Sequence, residues 1–277
     1  MSLKEILKDE LTEEEMKHLR TSFSIVGDIA IIEVPEELEN KEDLIGEALM
    51  KVHKNVNTVL KKDSERKGEF RLRDYQVIAG EEKTETVHKE FGCRIKIDLE
   101  KAYFSEREGK ERQRIAEKIE GSEKILVMFA GVGPFPVVMC KLNQEIDKIY
   151  GVELNPDAYE LMRENIRINK VSDKVIPILG DVRKEVPKMG EFDRILMPLP
   201  ESAHKFLDLA FESCRERGII HLYGIGEKED LFGKLENEVE KIANEMGIKY
   251  RIKDRQNVLP FGVRKYKIRL DIEVLEK

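Results

Sequence analysis

The stretch Ile125-Leu126-Val127-Met128-Phe129-Ala130-Gly131-Val132-Gly133-Pro134-Phe135 decides the fold. Five apolar residues predict a buried strand, and the glycine-rich turn behind it opens a helix. Downstream the same alternation repeats. Strands are expected over 149–152, 175–179, 192–197 and 219–223, and helices over 156–169, 202–214 and 234–246. A last strand is expected over 264–274. Pro156 falls in a first helical turn, while Gly218 and Gly247 lie behind helices. A helix at about 105–120 leads into this half. Strand-helix alternation at this spacing predicts a mostly parallel, doubly wound α/β sheet. Upstream the pattern differs: strands over 29–34, 56–60, 75–79, 86–89 and 93–99, one helix over 44–52, and a polar, basic segment over 61–73. The chain therefore reads as a smaller α+β domain, 1–98, followed by the α/β domain, 99–277, which suits its 277 residues.

The glycine turn is placed where a backbone can approach a ligand closely. A dinucleotide fingerprint needs a third glycine at position 136, which is Pro136, so nicotinamide and flavin readings weaken. Glu153 ends the next strand about twenty residues on, where a carboxylate can accept from both ribose hydroxyls. Asp181, after the third strand, can accept from an adenine amino group. Each also has a bland reading: a tight turn, an acid at a helix start, a turn aspartate. Together they lie at successive strand C-termini, where open α/β sheets bind ligands. With no phosphate-binding lysine, the set points to S-adenosylmethionine.

Met128–Phe135, Val152-Glu153-Leu154-Asn155-Pro156 and Met197-Pro198-Leu199-Pro200 resemble the archaeal tRNA (guanine-37-N1)-methyltransferase family, as do Gly68-Glu69-Phe70-Arg71 and Tyr103-Phe104-Ser105 with Glu111-Arg112. The resemblance implies a Rossmann-type class I methyltransferase domain behind a smaller RNA-contacting domain. It implies S-adenosylmethionine held by Tyr103, Phe129, Gly131, Gly133, Glu153, Asp181, Pro198 and Pro200, and an anticodon loop with position 37 as target. Arg107, Arg112 and Arg264 are the implied substrate contacts. Two departures stand out: Val127 replaces an acid, so one methionine-amine contact comes from elsewhere, and Pro198 replaces an asparagine. The Pro-Leu-Pro form resembles the branch that also methylates C7 of the wyosine precursor 4-demethylwyosine. The family's extra domain that reads the tRNA elbow has no counterpart expected within these residues.

Guanine N1 carries a proton, so its methylation needs a base near the methyl group and a cation for the charge developing at O6. The resemblance implies Glu111 as the base and Arg71 as the O6 partner. On spacing alone Glu111 reads as an exposed ion pair with Arg107, Arg71 as a solvated arginine, and Tyr103 as either a stacking or a core residue. Residues 51–73 hold eight Lys/Arg against three acids, and residues 249–269 eight against one with aromatics interleaved, a pattern expected of a phosphate track. His204 and His221 read as structural because nothing in the sequence pairs them, and Cys140 and Cys214 read as core residues.

Composition bounds the alternatives. A net charge of −7 excludes a generic polyanion binder. Three distant cysteines form neither a disulfide framework nor a metal spacing, so no metal is expected. The N-terminus has no apolar signal core, and no apolar run is long enough for a bilayer. A cytoplasmic monomer is expected. Competing functions are aminocarboxypropyl transfer from the same cofactor to the wyosine precursor, and a non-catalytic RNA-binding module.

Overall fold

Two capping boxes open the chain in the computed structural model, which describes residues 2–65, 67–68 and 70–277. Ser2 accepts from the Glu5 amide and starts α1 (Leu3–Leu7), and Thr12 does the same for α2 (Glu13–His18). Glu69 of the Gly68–Arg71 motif lies outside the described residues. Strands β1 (Phe23–Val26) and β2 (Ile29–Ile32) pair as an antiparallel hairpin. Helix α3 (Glu42–Val52) follows, then β3 (Thr58–Lys62) beside β2 in parallel and β4 (Tyr75–Gly80) antiparallel to β3. These form a four-stranded sheet in the order β1-β2-β3-β4. Leu7, Leu38, Ile45, Leu49 and Val59 build its core against α1 and α3. Strands β5 (Glu85–Glu90) and β6 (Cys93–Asp98) form a separate two-stranded sheet.

The chain splits into two compact units, Met1–Glu90 with Arg94–Glu106, and Phe91–Cys93 with Arg107–Lys277. The sequence reading parts the chain after residue 98; the units part after Glu106. Cys93 goes with the second unit, where its Sγ lies 3.9 Å from the Val137 carbonyl.

The second unit starts with α4 (Gly109–Glu117), shorter than the helix expected over 105–120 because residues 106–108 form a 3-10 turn. Then come β7 (Lys124–Met128), α5 (Pro134–Leu142), β8 (Lys148–Glu153), α6 (Pro156–Ile168), β9 (Val175–Leu179), α7 (Val182–Glu185), β10 (Phe192–Met197), α8 (Leu207–Ser213), β11 (Cys214–Glu227), α9 (Gly233–Met246), β12 (Lys249–Gly262) and β13 (Lys265–Glu276). The seven-stranded sheet runs β12-β13-β11-β10-β7-β8-β9. Strands β7 to β11 are mutually parallel, and β13 and β12 add on as an antiparallel hairpin. The order reverses between β7 and β10, the switch point where such sheets bind ligands.

Two sequence expectations change. Cys214 starts a strand instead of ending a helix, and Gly218 lies inside β11. A Cβ on Gly218 would meet the Cys214 Sγ at 2.6 Å, so this glycine serves close packing. Residues 249–262, read as a basic track, form a full edge strand.

Strand β13 has two unlike faces. Ile268, Leu270, Ile272 and Val274 enter the apolar core with Phe211, Leu222 and Val239. Lys267, Arg269, Asp271 and Glu273 alternate with them, also buried, on the other face. Glu108 and Glu111, at the start of α4, pair with Lys267 and Arg269 of that charged face.

Candidate functional site

The C-terminal ends of β7, β8, β9 and β10 bring four of the expected segments to one edge of the sheet. After β7, Phe129, Gly131 and Gly133 all have left-handed backbones (φ 57°, 57° and 80°). For Phe129 that conformation is unusual, and such strain gathers at ligand sites. Gly133 caps α5 ahead of Pro134, and a Cβ on it would lie 2.7 Å from Met162 Cγ, so only glycine fits. Glu153 ends β8 with both carboxylate oxygens engaged. The Gly131 amide donates to Oε2 (2.6 Å) and the Asn155 amide to Oε1 (2.8 Å). Each oxygen keeps acceptor capacity for a ligand hydroxyl. Burial pushes the Glu153 carboxyl above its ordinary range, against the pull of those amides.

Asp181 follows β9 and caps α7, accepting from the Arg183 amide (2.9 Å). Phe129 packs edge-on to Phe206 (5.0 Å between centroids). Behind β10, Pro198 is half-buried and Pro200 buried. Here the Met197 carbonyl accepts from the Leu199 amide, and the Leu199 carbonyl from the Ser202 and Ala203 amides. Val127 is a core residue of β7.

Glu111 is 1% exposed, which removes the reading of an exposed ion pair with Arg107. Arg107 itself is exposed. The Tyr223 hydroxyl donates to Glu111 Oε1 (2.9 Å), and Arg269 Nη1 donates to the same oxygen. Arg114 reaches Oε2 at 3.3 Å. Burial, then the Glu111 charge, holds the Tyr223 phenol well above its usual range, so it stays a donor. Arg112, expected to touch substrate, is instead fully buried beside Glu111 on α4.

Behind Arg269 the buried groups continue. Arg269 donates to Asp271 (2.6 and 3.3 Å), Asp271 pairs with His221 Nδ1 (2.6 Å), and Arg194 reaches His221 Nε2 (2.7 Å). Arginine only donates, so Nε2 is the acceptor and Nδ1–H donates to Asp271. His221 is structural as expected, but it is paired on both nitrogens. Burial pushes the imidazole below its ordinary value. Burial opposes ionisation of Asp271, yet His221 and Arg269 hold it well below the carboxylate range. Sequence reasoning missed Tyr223, Arg269 and Asp271. The available signal was the period-two run of charges, Lys267, Arg269, Asp271 and Glu273, inside an apolar strand.

In the first unit, Arg71 and Tyr103 come together, the guanidinium 5.1 Å from the ring centroid. Arg71 has a left-handed backbone (φ 57°) and closes a turn through its amide to the Gly68 carbonyl (3.2 Å).

Many charges of the two basic runs pair with nearby carboxylates. Lys249, Arg251, Arg255, Arg264 and Lys267 pair with Glu276, Glu273, Glu236, Glu229 and Glu108. Lys61, Lys62 and Lys67 pair with Glu42, Glu33 and Asp74. Lys253 and Lys265 are exposed on the hairpin. Cys93, Cys140 and Cys214 are buried thiols, and burial raises those of Cys140 and Cys214 to about 12. Among the described residues no group of three or more His, Cys, Asp or Glu is placed to hold a metal, and no helix is long and apolar enough to cross a membrane.

The strand order, the glycine turn and the acid ending β8 define a class I, Rossmann-type methyltransferase. Residues 86–252 match the TRM5/TYW2 methyltransferase domain, and residues 3–84 match the TYW2 N-terminal domain. The chain belongs to the TRM5/TYW2 methyltransferase family. It is 41% identical, over 95% of its length and 77% of the relative's, to the tRNA (guanine(37)-N(1))-methyltransferase Trm5b of Pyrococcus abyssi. It is 28% identical, over 92% of its length and all of the relative's, to the Nanoarchaeum equitans tRNA (guanine(37)-N(1))/4-demethylwyosine(37)-methyltransferase Taw22. The solved complex of aTrm5 with tRNALeu superposes with a TM-score of 0.87 at 37% identity, covering 100% of this chain and 78% of that one.

Proposed function

We propose that the protein transfers a methyl group from S-adenosylmethionine to position 37 of tRNA, at N1 of guanine, with C7 of 4-demethylwyosine as a second target. The observation that carries this reading is the conjunction of the Gly131–Glu153 strand-end cradle with a buried carboxylate, Glu111, in a chain 41% identical to a tRNA (guanine(37)-N(1))-methyltransferase. Likeness to Taw22 and the Pro198-Leu199-Pro200 sequence support the second target.

The residues present fit the cofactor. Gly131 and Gly133 give the turn after β7 its left-handed backbone, Glu153 has acceptor capacity for ribose hydroxyls, and Asp181 is the candidate adenine partner. Tyr103, Phe129, Pro198 and Pro200 complete the candidate set. When bound, S-adenosylmethionine supplies an electrophilic methyl group on a sulfonium. Glu111 accepts the guanine N1 proton, turning a poor nucleophile into a good one. Arg71 is the cation for the charge developing at O6. Prolines at 198 and 200 provide no backbone donor to compete for the base. Arg107, exposed lysines of the hairpin and Arg264 are the candidate contacts to the anticodon loop.

Incubating the protein with unmodified tRNA and cofactor labelled separately in its methyl and carboxyl groups tests this. Methyl label in the RNA as N1-methylguanosine is expected. Carboxyl label would mean aminocarboxypropyl transfer, and no label a binding module; either overturns the proposal.

A further inference from the structure

We infer that Tyr223 and Arg269 are positioning residues for Glu111, fixing Oε1 so that Oε2 is the oxygen that takes the N1 proton. The inference rests on the base role proposed above. A carboxylate has two nearly equivalent oxygens and a rotatable bond, so a buried base works only if something chooses between them. Here the choice is made. Oε1 accepts from the Tyr223 hydroxyl (2.9 Å) and from the Arg269 guanidinium, whereas Oε2 meets Arg114 at 3.3 Å. Arg269 and Tyr223 are fully buried, while the Arg114 side chain is 40% exposed and can swing into water when a substrate arrives.

The two donors to Oε1 are themselves held. Asp271 grips Arg269, His221 grips Asp271, Arg194 grips His221, and Glu123 takes the Arg194 guanidinium at 2.6 and 2.8 Å. The Tyr223 ring lies under Lys267 Nζ (4.8 Å from the centroid), and Lys267 pairs with Glu108, three residues before Glu111 (2.8 Å). Partners of this kind orient a reactive group from behind. They reach the base from β10, β11 and β13, so the rigid sheet and not the α4 helix alone sets the carboxylate's direction.

Tyr223→Phe keeps the ring and its packing and deletes one donor to Oε1. Removing Arg269 instead leaves a buried carboxylate short of a partner and threatens the fold, so Tyr223 carries the test. Single-turnover N1 methylation should slow by about 2–10-fold in Tyr223→Phe, with cofactor and tRNA affinities unchanged. The deficit should shrink at high pH, where guanine N1 loses its proton to solvent; a general structural defect has no reason to do so. In a Glu111→Gln background, Tyr223→Phe should add no further loss. Additive losses, or a Tyr223→Phe rate equal to wild type, would overturn the positioning role alone. A Glu111→Gln rate equal to wild type would remove the base role and this inference with it.

Discussion

Glu153 shows how one side chain serves both fold and function. Its oxygens tie the turn after β7 to the turn after β8 through the Gly131 and Asn155 amides. Burial also makes its charge costly, and ribose hydroxyls would offset that cost. Glu153→Ala should therefore lose about 1.5–3 kcal/mol of cofactor affinity per hydrogen bond to a charged acceptor; calorimetry with S-adenosylmethionine gives the number, and wild-type affinity would remove Glu153 from the site. Position made this residue legible in the sequence: an acid closing the strand after a glycine turn. The surroundings of Glu111 were not legible, because its partner Arg269 is 158 residues away and the contact exists only once the sheet has formed. Spacing along the helix expected over 105–120 favoured Arg107, which lies instead in the 3-10 turn before α4, and tertiary packing gave the carboxylate to the sheet.

Among elements, the β12–β13 hairpin departs most from its sequence reading. Residues 249–257 alternate half-buried and exposed, the pattern of an edge strand, but the density of charge disguised it. Since most of these charges have carboxylate partners, few remain to displace counterions from RNA. Each phosphate contact adds about 0.7–0.9 to the slope of log affinity against log salt. Lys253→Gln with Lys265→Gln should lower that slope, whereas Arg255→Gln, already paired to Glu236, should change it less; equal effects would show that the pairs open on binding. The charged face of β13 makes a separate prediction. Folding keeps His221 neutral, with its proton affinity depressed, so the unfolded chain binds more protons below its ordinary value of 6.5. Stability is full above about pH 6.5 and lost as pH falls, with Asp271 adding to the loss at still lower pH. Urea titrations at pH 7.5 and 5.5 should show the drop, and His221→Gln should flatten it. An unchanged midpoint in the wild type would contradict a neutral buried imidazole.

At the scale of the whole chain, two units have separate cores, one around Leu49 and Val59, the other around Phe211 and Leu222. In the sequence, irregular β patterns give way to strict strand-helix alternation, because the two layer architectures need different periodicities. The exact partition was hidden: Cys93 joins the second unit through a packing contact that no local pattern records. The cradle residues around Glu153 lie in the second unit, so S-adenosylmethionine at a hundredfold its Kd should stabilise that unit by about 2.7 kcal/mol. Hydrogen exchange resolved along β7, β8 and β9 measures it, and protection confined to the first unit would contradict the placement. The most direct test of the whole account is the single-turnover rate of N1-methylguanosine formation by Glu111→Gln. That change keeps size and hydrogen bonding and removes the proton acceptor. The rate should fall by about 10²–10⁴-fold with cofactor and tRNA affinities nearly unchanged. A rate within error of wild type would show that Glu111 is only the buried anchor of α4.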